Sequence, residues 1–110
     1  MVDGRGRILS TGYNGSPQGY PHCFAVCGPH PEPPCVFSIH AEINALLYAD
    51  NREPEKTLYV TTSPCRSCAL AIANAGIIRV VIGEPYRNDE GLKILELGAI
   101  PYEFCTVAHL

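Results

Sequence analysis

No run of 18 apolar residues occurs in this 110-residue chain, so its sequence predicts no membrane span. The opening residues, Met1-Val2-Asp3-Gly4-Arg5, lack the apolar segment of a secretory signal, and the expected compartment is the cytoplasm, of a host cell if the chain is viral. Positive charge is scarce. Eight Lys and Arg stand against eleven Asp and Glu, a net charge of −3, and the cations are scattered. Without a basic stripe, no long nucleic-acid partner is expected, whereas a mononucleotide needs only one or two cations. There is no internal repeat and no composition break, so residues 1–110 are expected to form a single domain with a usable but small core.

Cysteine, in contrast, is plentiful, at six residues. In a chain with no signal segment, metal binding or free thiols are the better expectation than disulfides.

The coarse pattern follows. Asp3-Gly4-Arg5-Gly6 has turn chemistry, and Arg7 to Thr11 reads as a strand returning from it. Gly12 to Pro17 is a glycine-rich exit, with Asn14-Gly15 favouring a turn. Gln18 to Phe37 contains Pro21, Pro29, Pro31, Pro33 and Pro34 and cannot be a regular helix. A loop of this length is expected to be functional or tied down. Its His22, Cys23, Cys27, His30 and Cys35 are candidates for the tie. Ser38 is a candidate cap for a helix to about Asp50, with Ile39, Ile43, Leu46 and Leu47 on one face.

Thr57 to Thr61 reads as a strand. Ser63 suits a helix N-cap and Pro64 the first helical position, with a stop near Gly76. Ile77 to Ile82 reads as a strand covered on both faces. Asp89 is expected to cap a helix closed by Gly98, and Ile100 to Thr106 to form the last strand. Alternation of strand and helix from residue 57 predicts parallel strands with crossover helices, an α/β layered domain.

Two short motifs carry the chemistry: His40-Ala41-Glu42, and Pro64-Cys65-Arg66-Ser67-Cys68. His40, Cys65 and Cys68 make three zinc ligands and leave the fourth position for water, as a catalytic zinc requires. Both groups fall at predicted helix starts, where free amides and the helix dipole favour thiolates. Glu42, two residues from His40, is the candidate proton carrier. On a regular helix these two side chains would point about 200° apart. The spacing therefore requires the site to lie off the open end of the helix. Alone, Cys-x-x-Cys also fits a redox pair or half a structural zinc site, and His-x-Glu says almost nothing. Jointly they form the H-x-E…P-C-x-x-C signature of zinc base deaminases.

The chain resembles the deoxycytidylate (dCMP) deaminases of the cytidine-deaminase-like superfamily. Ser10 to Pro17, Ile39 to Ala45 and Leu58 to Cys68 carry the resemblance, with Pro85-Tyr86-Arg87, Glu90-Gly91-Leu92 and Gly98-Ala99-Ile100. Gly12-Tyr13-Asn14-Gly15 and Pro21-His22-Cys23 point to dCMP in particular. The resemblance implies a three-layer fold, a mixed sheet flanked by helices. The family's usual first helix and most of its first strand would precede residue 1, with Met1-Val2 the remnant beside the strand at Leu58. It implies hydrolysis of dCMP to dUMP and ammonia through a zinc-activated water, for thymidylate-precursor supply. Asn14 and Ala41 would contact the substrate, Asn14 near the sugar or ring, while Tyr86 and Arg87 would lie toward the phosphate.

It also implies a homo-oligomer, hexamer or dimer. Regulation would come from dCTP with magnesium (activating) and dTTP (inhibiting), through the loop of Gly12, Tyr13, Asn14 and Gly15. A second, structural zinc would use Cys23, Cys27 and Cys35 with His22 or His30, unless these are free surface thiols. Two other readings stand beside it. One is a related deaminase acting on cytidine, guanine or tRNA adenosine, the last disfavoured by the negative charge. The other is a zinc-stabilised nucleotide-binding protein without turnover.

Overall fold

Lys56–Thr62 (KTLYVTT) and Ile77–Glu84 (IIRVVIGE) are rich in β-branched residues and form β1 and β2. The computed structural model describes residues 1–15, 18, 19, 39–50 and 52–105. The proposed second metal set, His22, Cys23, Cys27, His30 and Cys35, lies outside them, as do Ser16, Pro17, Ser38 and Thr106. A third strand, β3, spans Tyr102–Phe104. The helices are α1 (Ala41–Leu47), α2 (Arg66–Asn74) and α3 (Glu90–Leu97).

The sheet order is β1-β2-β3, and both pairings are parallel. Leu58 faces Val80 and Val60 faces Ile82, while Val80 and Ile82 face Tyr102 and Phe104. Parallel neighbours need crossovers, and α2 and α3 supply them. Ala69, Ile72 and Leu95 on these helices are fully buried beside Leu58, Val80 and Ile82. This topology carries the segments after β1 and β2 to one end of the sheet, outside the carboxyl ends of its strands. Open parallel sheets bind ligands there.

Several expected boundaries differ. Arg7 to Thr11 is not a strand; only Ile8 bridges, to Val2. Val2 also bonds Thr57 in both directions, at 2.9 and 3.0 Å, which adds an antiparallel contact to β1. The helix predicted from Ser38 begins at Ala41, because Ile39 exchanges two backbone bonds with Gly15 and keeps the chain extended up to His40. It ends at Leu47, short of Asp50.

Pro64 is not the first residue of α2, whose N-cap is Cys65. Ser63 is held instead by the Glu84 carbonyl across the strands. The stop at Gly76, where φ is +76°, follows the sequence reading. Asp89 does occupy the N-cap of α3, but its side chain makes no cap bond, and Asn88 Oδ1 accepts from Glu90 N–H. The last strand is shorter than expected, and Ile78 and Arg79 of β2 are exposed while Val80 to Ile82 are buried.

The turn at the start of the chain is built on Asp3, which is buried. The Arg7 backbone N–H, with that of Arg5 and the Arg7 guanidinium, holds its carboxyl below the ordinary carboxylate range in spite of burial. A carboxyl depressed in the folded state stabilises above its unfolded value, about 3.9, and that contribution is lost as pH falls through the lower folded value. Asp3→Asn should therefore lower the thermal midpoint at pH 7. The gap from wild type should narrow as the buffer is taken below about pH 4. Equal midpoints at pH 7 would show that the turn does not depend on the charge.

Candidate zinc centre and its cleft

His40 is the N-cap of α1, with extended backbone (φ −62°, ψ 148°), and Glu42 lies in the first turn. Cys65 is the N-cap of α2, and Cys68 follows within its first turn. Both helices thus present their open ends to one point, as the two-residue His-x-Glu spacing requires. His40 Nδ1 is 3.2 Å from Cys68 Sγ and 3.5 Å from Cys65 Sγ. All three donor atoms lie within 4.8 Å of one another. Tetrahedral zinc with ordinary bond lengths would separate a nitrogen and a sulfur donor by about 3.6 Å.

The donor chemistry also asks for a cation. Cys65 and Cys68 are free thiols. Burial pushes the Cys68 thiol up, and the Glu42 charge and the neighbouring Cys65 push it the same way. A divalent cation among these groups reverses that balance and holds both sulfurs as thiolates.

Beside the donors opens a cleft of about 640 Å³, a volume suited to a small ligand. His40, Ala41, Glu42 and Cys65 are among its lining residues, as are Asn14 and Tyr86. Asn14 Oδ1 accepts the Ala41 N–H at 2.8 Å, so this side chain also caps α1 from outside. Asn44 Nδ2 returns a bond to the Tyr13 carbonyl at 2.9 Å. Gly12 packs directly on α1, where a Cβ would overlap the Ala41 carbonyl oxygen and come within 2.5 Å of Ala45 N. The Gly12 to Gly15 loop is thereby fastened to the helix that carries His40 and Glu42. Tyr13 is exposed, outside the cleft lining, and Gly15 bridges to Ile39.

Arg87 does not line the cleft, but its Cζ lies 5.3 Å from the ring centroid of Tyr86, in cation–π range. Ser63, read from sequence as a helix cap, lines the cleft instead. Its hydroxyl accepts the Tyr86 N–H at 3.1 Å. No local sequence signal points to that bond, because it joins segments 23 residues apart.

Donors of this kind, open on one side to a cleft and beside a carboxylate, belong to hydrolytic zinc centres. Similarity to known proteins narrows the class. Residues 1–84 match the model of the cytidine and deoxycytidylate deaminase zinc-binding region, and the chain belongs to that family of zinc-dependent deaminases. A deoxycytidylate deaminase of Enterobacteria phage T4 is 34% identical over 132 residues, covering 82% of this chain and 68% of the phage protein. A deoxycytidylate deaminase of Saccharomyces cerevisiae is 38% identical over 103 residues, 86% of this chain but 33% of the yeast protein. The crystal structure of dCMP deaminase from cyanophage S-TIM5, in complex with dCMP and dUMP, superposes with a TM-score of 0.72. It is 31% identical and covers 91% of this chain and 74% of that one. The fold is the cytidine-deaminase-like α/β fold expected from the sequence. Among the described residues no helix is long and apolar enough to cross a membrane.

Proposed function

We propose that the chain hydrolyses dCMP to dUMP and ammonia. The observation that carries this reading is the convergence of His40, Cys65, Glu42 and Tyr86 on one cleft, with Cys68 buried behind as the third donor. His40 Nδ1 and the sulfurs of Cys65 and Cys68 would hold the zinc. Bound there, zinc makes water a nucleophile near neutral pH.

Glu42 does the proton work. Its carboxylate takes a proton from the attacking water and delivers it to the ring nitrogen N3 as the oxygen bonds C4; it then takes the proton left on that oxygen and hands it to the 4-amino nitrogen, so that the C4–N bond breaks, ammonia leaves and the 4-carbonyl forms. It is free for this because it is not one of the three donors. Asn14 and Ala41 meet the base and sugar from the helix tip, and Tyr86 lines the same cleft toward the phosphate.

The phosphate needs a cation. Arg7, Arg52, Arg79 and Lys93 are already paired with Asp3, Asp50, Glu103 and Asp89. Lys56 is buried, with Nζ on the Ala75 carbonyl. Arg5, Arg66 and Arg87 make no ion pair among the described residues, and of these three Arg87 has its guanidinium over the ring of a cleft residue, Tyr86. Its planar fork suits a phosphate. A homo-oligomer, a second zinc, and control by dCTP with magnesium or by dTTP at the Gly12 to Gly15 loop enter this reading through the family resemblance alone.

The test is ammonia release from dCMP, CMP, deoxycytidine and guanine. The protein should turn over dCMP fastest, lose turnover when a chelator strips the zinc, and regain it on adding zinc back. Turnover of deoxycytidine without dCMP would overturn the substrate assignment.

A further inference from the structure

We propose that Ser63 is a positioning residue that sets the phosphate end of the substrate cleft by holding Tyr86, and through it Arg87. The inference rests on the dCMP reading above. Serine two residues before a helix cap is well suited to capping, but α2 is capped by Cys65 and the Ser63 hydroxyl has no role in that helix.

The hydroxyl works between strands instead. Ser63 is buried, at 4% exposure, where β1 and β2 end. Its N–H donates to the Glu84 carbonyl at 2.9 Å, and Oγ lies 3.4 Å from the same oxygen. The Tyr86 N–H donates to Oγ at 3.1 Å. One hydroxyl thus gives its proton to Glu84, the last residue of β2, and receives another from Tyr86, two residues on. A side chain without oxygen would leave the Tyr86 N–H unpartnered in a partly buried place, which carries a desolvation cost.

The position matters because of what lies on each side. Two residues after Ser63 comes Cys65, a zinc donor, with fully buried Pro64 between them. One residue after Tyr86 comes Arg87, whose Cζ lies over its ring at 5.3 Å from the centroid. Ser63 therefore fixes the distance from the metal, where the amino group must sit, to the cation that would meet the phosphate. Deoxycytidine, lacking the phosphate, does not draw on the second half of that ruler.

The experiment measures steady-state rates on dCMP and deoxycytidine, with zinc content, for wild type, Ser63→Ala, Ser63→Thr, Arg87→Ala and the Ser63→Ala/Arg87→Ala double variant. Ser63→Ala should raise KM for dCMP about tenfold, the effect of one buried hydrogen bond, and alter kcat by less than about twofold. The preference for dCMP over deoxycytidine should fall by the same factor. Ser63→Thr, which keeps the hydroxyl, should recover the preference to within about threefold. In the Arg87→Ala background Ser63→Ala should add little, because both act on one contact.

Loss of zinc in Ser63→Ala, or an equal fall on both substrates, would overturn the inference and make Ser63 a support of the cysteine segment. A full additional loss in the Arg87→Ala background would do the same. A wild-type protein with no preference for dCMP over deoxycytidine overturns the substrate reading and this inference together. A preference that survives Ser63→Ala overturns the inference alone.

Discussion

Glu42→Gln should keep about one zinc per chain while kcat on dCMP falls by roughly 10²–10⁴-fold, the range expected for loss of a positioned general acid and base. Glu42 sits in the first turn of α1 while His40 stands outside it as the N-cap, so the two side chains share the helix tip without both reaching the metal. The three donors close on one another within 4.8 Å, and Glu42 is not among them. Glutamine keeps the size and most of the hydrogen bonding but cannot carry a proton between water and the ring. It also removes the negative charge that pushes the Cys68 thiol up, so thiolate formation is not impaired. Metal analysis and ammonia release on the same preparation decide the matter. Near-normal turnover would remove Glu42 from the mechanism, and a variant free of zinc would make it a ligand.

The motif and its chemistry were legible in the sequence because they are local. Ligand type, spacing and the requirement for an open helix end all follow from a few residues, and the helix tip at His40 meets that requirement. The alternation of strands and helices after residue 57 was legible for the same reason. What escaped depended on partners far along the chain. Ser63 and Pro64 fit the start of a helix by local preference, yet the Glu84 carbonyl 21 residues away holds Ser63 in the inter-strand segment. The spacing of Ile39 fits the helix face, but pairing with Gly15 keeps it extended. The strand expected from Arg7 to Thr11 makes only one bridge, Ile8 to Val2.

Gly91 is the sharpest case of that kind, and Gly91→Ala is expected to damage the zinc centre from outside it. From sequence it is only a glycine in the first turn of a helix, where alanine should gain about 1 kcal/mol of helix propensity. In the fold it is buried in α3 against the backbone of the cysteine segment. A Cβ there would overlap the Pro64 carbonyl oxygen, lie 2.8 Å from the Pro64 carbonyl carbon, and lie 3.0 Å from the Cys65 oxygen. The obstacle is backbone, and Pro64 is itself fully buried, so neither side can yield by rotating a side chain. Overpacking of this kind costs about 1–3 kcal/mol, which outweighs the propensity gain. Relief must come from moving α3 or moving Cys65. The second displaces a sulfur that lies 3.5 Å from His40 Nδ1.

Gly91→Ala should therefore lower the thermal midpoint, weaken zinc retention against a chelator, and reduce turnover on the order of 10²-fold, the effect of a displacement near 1 Å. Gly98→Ala at the other end of α3 is the matched control. The nearest atom to its added carbon is Ile100 Cδ1 at 3.7 Å, an ordinary contact, and stability should stay within about 0.5 kcal/mol of wild type. If both variants hold zinc and turn over alike, the approach of α3 to Pro64 is not what sets the position of Cys65. If only Gly91→Ala fails, a residue with no side chain governs the metal site by leaving room for the backbone that carries its ligand.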